Sequence, residues 1–210
     1  MRARSNKSAS SKNASGSFRV IGGTWGSRRL NFPSIDGLRP TTDRVKETVF
    51  NWLASDIAGA RVLDLFAGSG SLGFEALSRG AASLTAVERD RSAAQALRDN
   101  INLLDKHGDT QTEVLQTDAL VWLKQGLTKD VSYDLVFLDP PFRQGLLDQC
   151  IELLNDNPIL QQGALVYLEL EQERNDLKTP AHWALLKEKV AGQVSYRLYE
   201  VNELSDDVKV

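Results

Sequence analysis

From position 61 onward, the chain alternates short apolar runs with amphipathic stretches. This alternation is typical of parallel strands that are covered by helices. The predicted strands are Val62–Phe66, Ser83–Glu88, Thr112–Gln116, Tyr133–Leu138 and Ala164–Glu169. The predicted helices lie near Ser71–Arg79, Arg91–Leu104, Ala119–Gln125 and Gly145–Leu154. The pattern therefore predicts an α/β fold with a parallel sheet flanked by helices.

The last part of the chain breaks this alternation. The runs WALLKEKV (183–190) and SYRLYEV (195–201) are separated by only a short turn. A parallel crossover needs about a dozen residues, so these two strands must be antiparallel. We therefore expect a mostly parallel sheet with an antiparallel hairpin at one edge.

The N-terminal part has a different pattern. Residues 1–17 are poor in apolar residues and are predicted to form a disordered basic tail. The segment 18–30, FRVIGGTWGSRRL, predicts two short strands around a glycine-containing turn, and the proline-containing stretch 32–40 predicts a loop. A helix should come next, capped by Thr42 or Asp43. This piece is too small to have its own core, so it should pack against the rest of the chain.

These patterns divide the chain into four parts. We predict a basic tail (1–17), an extension of hairpin and helix (18–56), a main α/β domain (57–203) and a C-terminal tail (204–210).

Charge is distributed unevenly, although the net charge is only −3. No acidic residue occurs before Asp36, and the basic residues that precede it are Arg2, Arg4, Lys7, Lys12, Arg19, Arg28 and Arg29. A basic arm on an acidic body indicates a polyanionic partner that is held through phosphates. A solubilising tail without a ligand and an organelle transit peptide are the alternatives.

Cysteine and histidine usage limits the other kinds of site. The single cysteine, Cys150, excludes an intramolecular disulfide and suits a reducing compartment. His107 and His182 are far apart and no cysteines cluster, so we expect no metal site. The chain has no apolar run as long as a membrane span and no signal-peptide core. We expect a cytoplasmic, monomeric protein without membrane contact.

A glycine-rich loop follows the first strand of the main domain. Gly68, Gly70 and Gly73 have the spacing GxGxxG directly before a helix. Glycine allows a sharp turn and lets a ligand approach the backbone without meeting a Cβ. The motif alone is weak evidence, because a nicotinamide dinucleotide site also has it.

Three acidic residues, Asp64, Glu88 and Asp118, are predicted at the carboxyl ends of three strands. Ligands of open α/β sheets bind outside these ends. A carboxylate at Asp64 suits an ammonium group and would repel a pyrophosphate. Glu88 can accept both hydroxyls of a ribose, and Asp118 can accept from an adenine amino group. Each acid singly is also typical of a solvated loop or helix cap, but together they indicate S-adenosyl-L-methionine.

The sequence Asp139-Pro140-Pro141-Phe142 follows the strand Tyr133–Leu138. The exocyclic amine of a base is a poor nucleophile, and the Asp139 carboxylate with the Pro140 carbonyl can accept its two N–H groups. This would aim the nitrogen lone pair at a sulfonium methyl by positioning and electrostatics. Consecutive prolines fix the loop, and Phe142 offers a face on which a splayed-out base can stack.

Five segments together resemble the bacterial ribosomal RNA small-subunit methyltransferase D family. They are DLFAGSGSLGFEALSRGA (64–81), AVERD (86–90), DPPF (139–142), RVIGGTWGSRRL (19–30) and RPTTDRVKETVFNWL (39–53). The resemblance extends from about Phe18 to about Val201. It implies a class I, Rossmann-like methyltransferase with a seven-stranded sheet. It also implies that the substrate is N2 of a guanine in 16S ribosomal RNA, of the guanine-966 type, in the small subunit or its assembly intermediate.

The resemblance, together with the basic patch of Arg19, Arg28 and Arg29, gives the candidate site residues. The cofactor residues are Asp64, Phe66, Gly68, Gly70, Glu88, Arg89, Asp118 and Ala119, and the catalytic residues are Asp139, Pro140 and Phe142. The candidate RNA contacts are Arg19, Arg28, Arg29, Arg39, Thr41 and Arg44. Arginines at a helix start can also pair with acids of the domain. Trp25, between the basic residues, can stack on a base or form the hairpin's own core.

Three other functions would account for some of these motifs. A DNA adenine-N6 methyltransferase uses the same DPPF chemistry, but it normally carries a target-recognition domain for which this chain has no room. An oxidoreductase using a nicotinamide cofactor leaves DPPF unexplained. A non-catalytic RNA-binding protein on the same scaffold does not need both the cofactor acids and DPPF.

Overall fold

The structure is a computed structural model that describes residues 15–35, 37–38, 40–125, 131–174 and 176–203. The strands are β1 (Ser15–Arg19), β2 (Arg29–Pro33), β3 (Arg61–Asp64), β4 (Ser83–Glu88), β5 (Gln111–Gln116), β6 (Tyr133–Leu138), β7 (Leu160–Glu171), β8 (Trp183–Ala191) and β9 (Val194–Val201). The helices are α1 (Asp43–Trp52), α2 (Ser71–Ser78), α3 (Arg91–Leu104), α4 (Ala119–Leu123) and α5 (Leu146–Asp156).

A seven-stranded sheet forms the centre of the molecule, in the order β5-β4-β3-β6-β7-β9-β8. The first five strands in this order are parallel, β9 runs antiparallel to β7, and β8 runs antiparallel to β9. The predicted parallel sheet with an antiparallel edge hairpin is therefore confirmed. The edge strand β8 contains a register shift between Leu185 and Lys187.

The central strand β3 is flanked by β4 on one side and β6 on the other. Because the chain order reverses at this point, the segments that come after β3 and β6 diverge and leave a crevice outside the carboxyl ends of the strands. β3 ends at Asp64, two residues earlier than predicted, so the glycine-rich loop begins closer to the sheet.

Strands β1 and β2 form a separate antiparallel pair that is longer than predicted. Ser15 pairs with Pro33 and Ser17 with Asn31, so residues 15–17 do not belong to a disordered tail and residues 32–33 do not belong to a loop. The physical reason is burial of aromatic side chains, because Phe18 and Phe32 are both less than 10% exposed. The predicted tails at 1–14 and 204–210 lie outside the described residues.

The turn between β1 and β2 is attached to the last turn of α2. The fully buried carboxylate of Glu75 accepts hydrogen bonds from the backbone N–H groups of Ile21 (2.6 Å) and Gly22 (2.8 Å). Ser78 Oγ accepts from Trp25 N at 2.9 Å and donates to the Gly22 carbonyl at 2.5 Å. The extension therefore packs on the main domain, as predicted, and does so through polar contacts as well as apolar ones.

Lys46 of α1 is fully buried in this interface. Its ammonium group donates to the Arg19 carbonyl, lies 3.5 Å from Asp43 Oδ1 and lies 5.5 Å from the centre of the Phe18 ring. Burial lowers the pKa of Lys46, and nearby carboxylates offset this in part. Since a buried cation without a partner would be costly, these contacts fix β1 against α1.

Three tryptophans of the helices and the sheet pack against the interior. Trp122 and Trp183 are buried, and the half-buried Trp52 lies 5.5 Å from the Tyr196 ring. In the part of the chain that the structure describes, no helix combines the length and the apolar character that crossing a bilayer requires.

Candidate functional site

The glycine-rich loop after β3 needs its glycines for different reasons. Gly70 has φ +82°, and a Cβ there would lie 2.5 Å from Phe74 Cε2. A Cβ at Gly73 would lie 2.8 Å from Leu84 Cδ2 on β4, so Gly73 allows α2 to approach the sheet. Gly68 has φ +51°, which favours glycine, and a Cβ there would be in ordinary van der Waals contact with Leu38, at 3.6 Å from Cδ1. Gly70 and Gly73 thus allow close packing beneath the loop, and Gly68 provides its left-handed turn.

Asp64 lies beneath this loop rather than on the crevice surface. Its side chain is buried, and its carboxylate accepts backbone hydrogen bonds from Phe66 and Gly73. Burial raises the pKa of Asp64 to about 7, the two hydrogen bonds lower it, and the charge of Glu88 raises it further. In this structure the Asp64 carboxylate thus holds the loop, and its contact with the cofactor stays a prediction.

The free energy of unfolding should report this buried carboxyl. Between pH about 4 and pH about 7 the folded chain binds a proton at Asp64 that the unfolded chain lacks, because the pKa rises from 3.8 to about 7 on folding. The contribution of Asp64 to the free energy of unfolding is therefore fully present below the pKa of the unfolded state. It is lost as the pH rises through the pKa of the folded state. We expect Asp64→Asn to flatten the fall in stability over this range.

Urea unfolding of the ligand-free protein at about pH 5 and about pH 7.5 measures this difference. The control is Asp109→Asn, at an exposed position, which should show the same fall in unfolding free energy between the two pH values as the wild type. An equal fall in wild type and Asp64→Asn would contradict the prediction.

Glu88 ends β4 and is half-buried next to the loop. Its Oε2 accepts from Gly68 N at 2.8 Å and its Oε1 accepts from Asp90 N at 2.7 Å. A carboxylate oxygen has more than one acceptor position, so both oxygens can also accept from a ligand. Glu88 therefore connects the carboxyl end of β4 to the glycine-rich loop.

Asp118 is the N-cap of α4. Its Oδ1 accepts from Leu120 N at 2.9 Å and from Val121 N at 3.2 Å. The helix-cap interpretation is thus correct for one oxygen, and within the described residues no hydrogen bond reaches Oδ2. Of the remaining candidate cofactor residues, Phe66 is half-buried, Arg89 is exposed and Ala119 is buried at the start of α4.

Asp139 directly follows β6, the neighbour of β3. It is half-buried, and its pKa is raised well above the usual range by burial and by the nearby charges of Glu169 and Asp64. The carboxyl ends of β3 and β6 thus bring the glycine-rich loop and the DPPF segment within electrostatic reach of each other. In such a setting a cationic ligand would stabilise the ionised carboxylates.

A cleft of about 300 Å³ opens beside the DPPF segment. Its lining residues are Pro140, Pro141, Phe142, Arg143, Gly145, Leu146, Leu147, Asp148, Glu169, Glu171 and Arg174. Phe142 is 39% exposed, so part of its side chain is accessible from the cleft side of the molecule or from solvent.

Ion pairs and hydrogen bonds fix the wall of this cleft. Arg174 binds Asp148 with two nitrogens, at 2.9 and 3.0 Å, and Asp176 at 3.1 Å. Arg143 has the unusual φ of +61°, and its backbone N–H donates to Glu171 Oε1 at 2.5 Å. The turn after DPPF is therefore held to the end of β7.

The candidate RNA residues have diverse environments. Arg28, Arg29 and Arg44 are exposed and form no ion pair within the described part of the chain. Arg19 pairs with Asp43 at 2.9 Å, and Arg39 lies outside the described residues. Trp25 is only 8% exposed, which confirms the interpretation that it belongs to the core. The alternative interpretation, that it stacks on a base, is wrong.

Thr41 lies near the cofactor loop. Its backbone N–H donates to Ser71 Oγ, in the first turn of α2, at 3.3 Å. Leu38 of the same segment lies above Gly68, with Cδ1 3.6 Å from the position of a Cβ there. The segment before α1 thus borders the glycine-rich loop, and the prediction of Thr41 as an RNA contact finds no support in this position.

Glu169 and Tyr167 were not among the predicted site residues. Glu169 is only 7% exposed and lines the cleft, and its Oε1 accepts from the Tyr167 hydroxyl at 2.7 Å. The signal was present in the sequence, because Glu169 lies near the carboxyl end of a predicted strand, like the three acids that were found. The described residues contain no cluster of three or more His, Cys, Asp or Glu side chains suited to a metal ion.

Comparison with known proteins gives consistent matches over almost the whole chain. The family "Conserved hypothetical protein 95" matches residues 18–200. The ribosomal RNA small subunit methyltransferase D of Escherichia coli (strain K12) is 52% identical over 186 residues, which are 89% of this chain and 91% of that protein. The protein of the same name from Haemophilus influenzae is 48% identical over 194 residues, covering 92% and 99%.

Among solved structures, the putative methyltransferase yhhF from Escherichia coli is similar in both fold and sequence. It has a TM-score of 0.80 and 48% identity, and the match covers 89% of this chain and 99% of that one.

Proposed function

Because the chain belongs to the ribosomal RNA small subunit methyltransferase D family, we propose that it transfers a methyl group to N2 of one guanine in 16S ribosomal RNA. The protein is a methyltransferase with the class I, Rossmann-like fold. One observation supports the proposed reaction most directly. The DPPF segment and the glycine-rich loop follow neighbouring strands, and Asp139 lies within electrostatic reach of Asp64.

The cofactor is S-adenosyl-L-methionine, and the chemistry of the site fits it. Glu88 offers carboxylate oxygens to a ribose, and the free Oδ2 of Asp118 offers an acceptor to an adenine amino group. When bound, the cofactor supplies a methyl group on a positively charged sulfur, which becomes a neutral thioether as the methyl leaves. The carboxylates around the loop suit this positive charge.

The residues of the DPPF segment prepare the acceptor. The Asp139 carboxylate and the Pro140 carbonyl accept the two N–H groups of the guanine 2-amino group, which directs the nitrogen lone pair away from them. Phe142 stacks on the base and fixes its plane. After the new N–C bond forms, the nitrogen loses one proton to Asp139 or to water. Asp139 thus acts mainly by positioning and electrostatics.

The polymer is held by the basic extension. The exposed Arg28, Arg29 and Arg44 supply cations for phosphates, and Arg19 and Arg39 are further candidates. The substrate is the small ribosomal subunit or its assembly intermediate, with guanine 966 as the expected target.

A transfer assay with labelled cofactor tests this proposal. Purified protein is given small-subunit particles, free 16S RNA and naked DNA, and the methylated nucleoside is identified by mass spectrometry and mapped. We expect N2-methylguanine at one position of the RNA. Methyl on adenine N6 of DNA would favour the alternative DNA methyltransferase, and absence of label in all three substrates would contradict an enzymatic function.

A further inference from the structure

Glu169 is a buried carboxylate with one oxygen left for a ligand. Its Oε1 accepts from the Tyr167 hydroxyl at 2.7 Å. Within the described residues no donor is hydrogen-bonded to its Oε2. This oxygen is not one of the fully buried polar atoms without a partner, so it remains accessible. Since Glu169 lines the cleft beside DPPF, Oε2 is the part of this side chain that meets the cleft.

Strand register brings Glu169 next to Asp139. In the parallel pair β6–β7, Phe137 is opposite Tyr167 and Leu138 is opposite Leu168. Asp139 directly follows β6, Glu169 is the next residue of β7, and the charge of Glu169 raises the pKa of Asp139. A carboxylate that follows β6 and one on β7 thus lie within electrostatic reach of each other where the base is proposed to bind.

The environment disfavours the charged form of both carboxyls. Burial raises the pKa of Glu169, and the hydrogen bond from Tyr167 lowers it only in part. A ligand that brings N–H donors to this pair would stabilise the ionised state, whereas a ligand that brings a lone pair would be repelled by an ionised carboxylate and could bind only after that group takes up a proton.

Guanine and adenine differ in the ring nitrogen next to the exocyclic amine. Guanine carries the 2-amino group and, next to it in the ring, an N1–H donor. Adenine carries an unprotonated N1, which presents a lone pair. When Asp139 and Pro140 hold an exocyclic amine, a neighbouring acceptor meets the ring nitrogen at position 1. An acceptor there suits guanine and excludes adenine.

We propose that Glu169 is a specificity-determining residue of this site, with Oε2 accepting N1–H of the target guanine while Asp139 and Pro140 hold its 2-amino group. This assignment rests on the proposed function. Tyr167 positions Glu169 by donating to its other oxygen, so that Oε2 faces the base.

The test separates the amine from N1–H by changing the base. At the target position mapped in the transfer assay, small-subunit particles carry either guanine or 2,6-diaminopurine, which keeps the 2-amino group but has a lone pair at N1. We expect wild-type kcat/KM to be at least about 100-fold lower for diaminopurine, because the buried carboxylate would face this lone pair.

Glu169→Gln should reduce this preference at least about tenfold. Its carbonyl oxygen can keep the hydrogen bond from Tyr167, which leaves the amide NH2 to donate to N1 of diaminopurine. The matched control is Glu173→Gln, the same change at an exposed position outside the cleft lining, which should keep the wild-type ratio. Calorimetric binding of S-adenosylmethionine checks that each variant is folded.

The outcomes distinguish the two proposals. If the wild type methylated neither particle, the proposed function itself would fail. If the wild type methylated guanine and diaminopurine with equal kcat/KM, or if a folded Glu169→Gln kept the wild-type ratio, only the role of Glu169 would be overturned. The wild-type comparison decides even when the variant does not fold.

Discussion

Asp139→Ala is expected to lower the rate of methyl transfer about a thousandfold, since it removes an acceptor that acts on the transition state. Binding of S-adenosylmethionine should remain within a few-fold, because Asp139 follows β6 and acts on the base in the proposed mechanism. Single-turnover kinetics on small-subunit particles, together with calorimetry for the cofactor, measure the two effects separately. Equal losses in both would mean that Asp139 supports the fold instead.

The stability of the same variant gives an independent readout. Burial and the charges of Glu169 and Asp64 raise the pKa of Asp139, so the ionised group destabilises the ligand-free fold. We expect Asp139→Ala to unfold at the wild-type urea concentration or above it near neutral pH. Asp139→Asn is the conservative control: it keeps an acceptor oxygen without the charge and should lose only about tenfold in rate.

Gly23→Ala should destabilise the protein by about 3 kcal/mol or more. Gly23 has φ +74°, and a Cβ there would lie 1.7 Å from the Ser78 carbonyl oxygen and 2.2 Å from the Ser78 carbonyl carbon. Because these are backbone atoms, the turn would have to move off α2. The hydrogen bond from Thr24 N to the Ser78 carbonyl, 2.7 Å long, would then be lost.

Gly59→Ala is the matched control. Gly59 has a similar φ of +79°, but a Cβ there meets nothing within 4 Å. It should cost only the strain of the backbone, about 1 kcal/mol. Urea unfolding measures both variants, and limited proteolysis reports whether the β1–β2 turn of Gly23→Ala is released. Similar stabilities would show that the turn tolerates displacement from Ser78.

The sequence predicted those parts of the site that depend on strand order. Since parallel strands end at one edge, residues at strand ends could be assigned to one crevice without coordinates, and Asp64, Glu88 and Asp139 do lie at such ends. The glycine spacing likewise predicted a tight loop, and the positive φ of Gly70 explains why. Local rules of this kind need only periodicity and chain direction.

Features that depend on packing between distant segments were not predictable. Asp64 faces inward because the α2 backbone approaches it, and Trp25 is buried because the turn meets Ser78. Lys46 is fully buried beneath β1, although lysine is usually exposed on helices. Thr41 borders the cofactor loop because its backbone N–H donates to Ser71 Oγ at the start of α2. None of these arrangements leaves a short-range sequence signal.

The outer strand β8 has a consequence for solubility. Leu185, Leu186 and Val190 are 43–50% exposed there, and an unpaired strand edge with such residues could template pairing with another molecule. The register shift between Leu185 and Lys187 interrupts the regular edge, and the charged run Lys187, Glu188 and Lys189 comes directly after it. Irregularity and charge at an edge oppose intermolecular β-pairing. This strand therefore ends the sheet at seven strands and protects the protein from edge-to-edge aggregation.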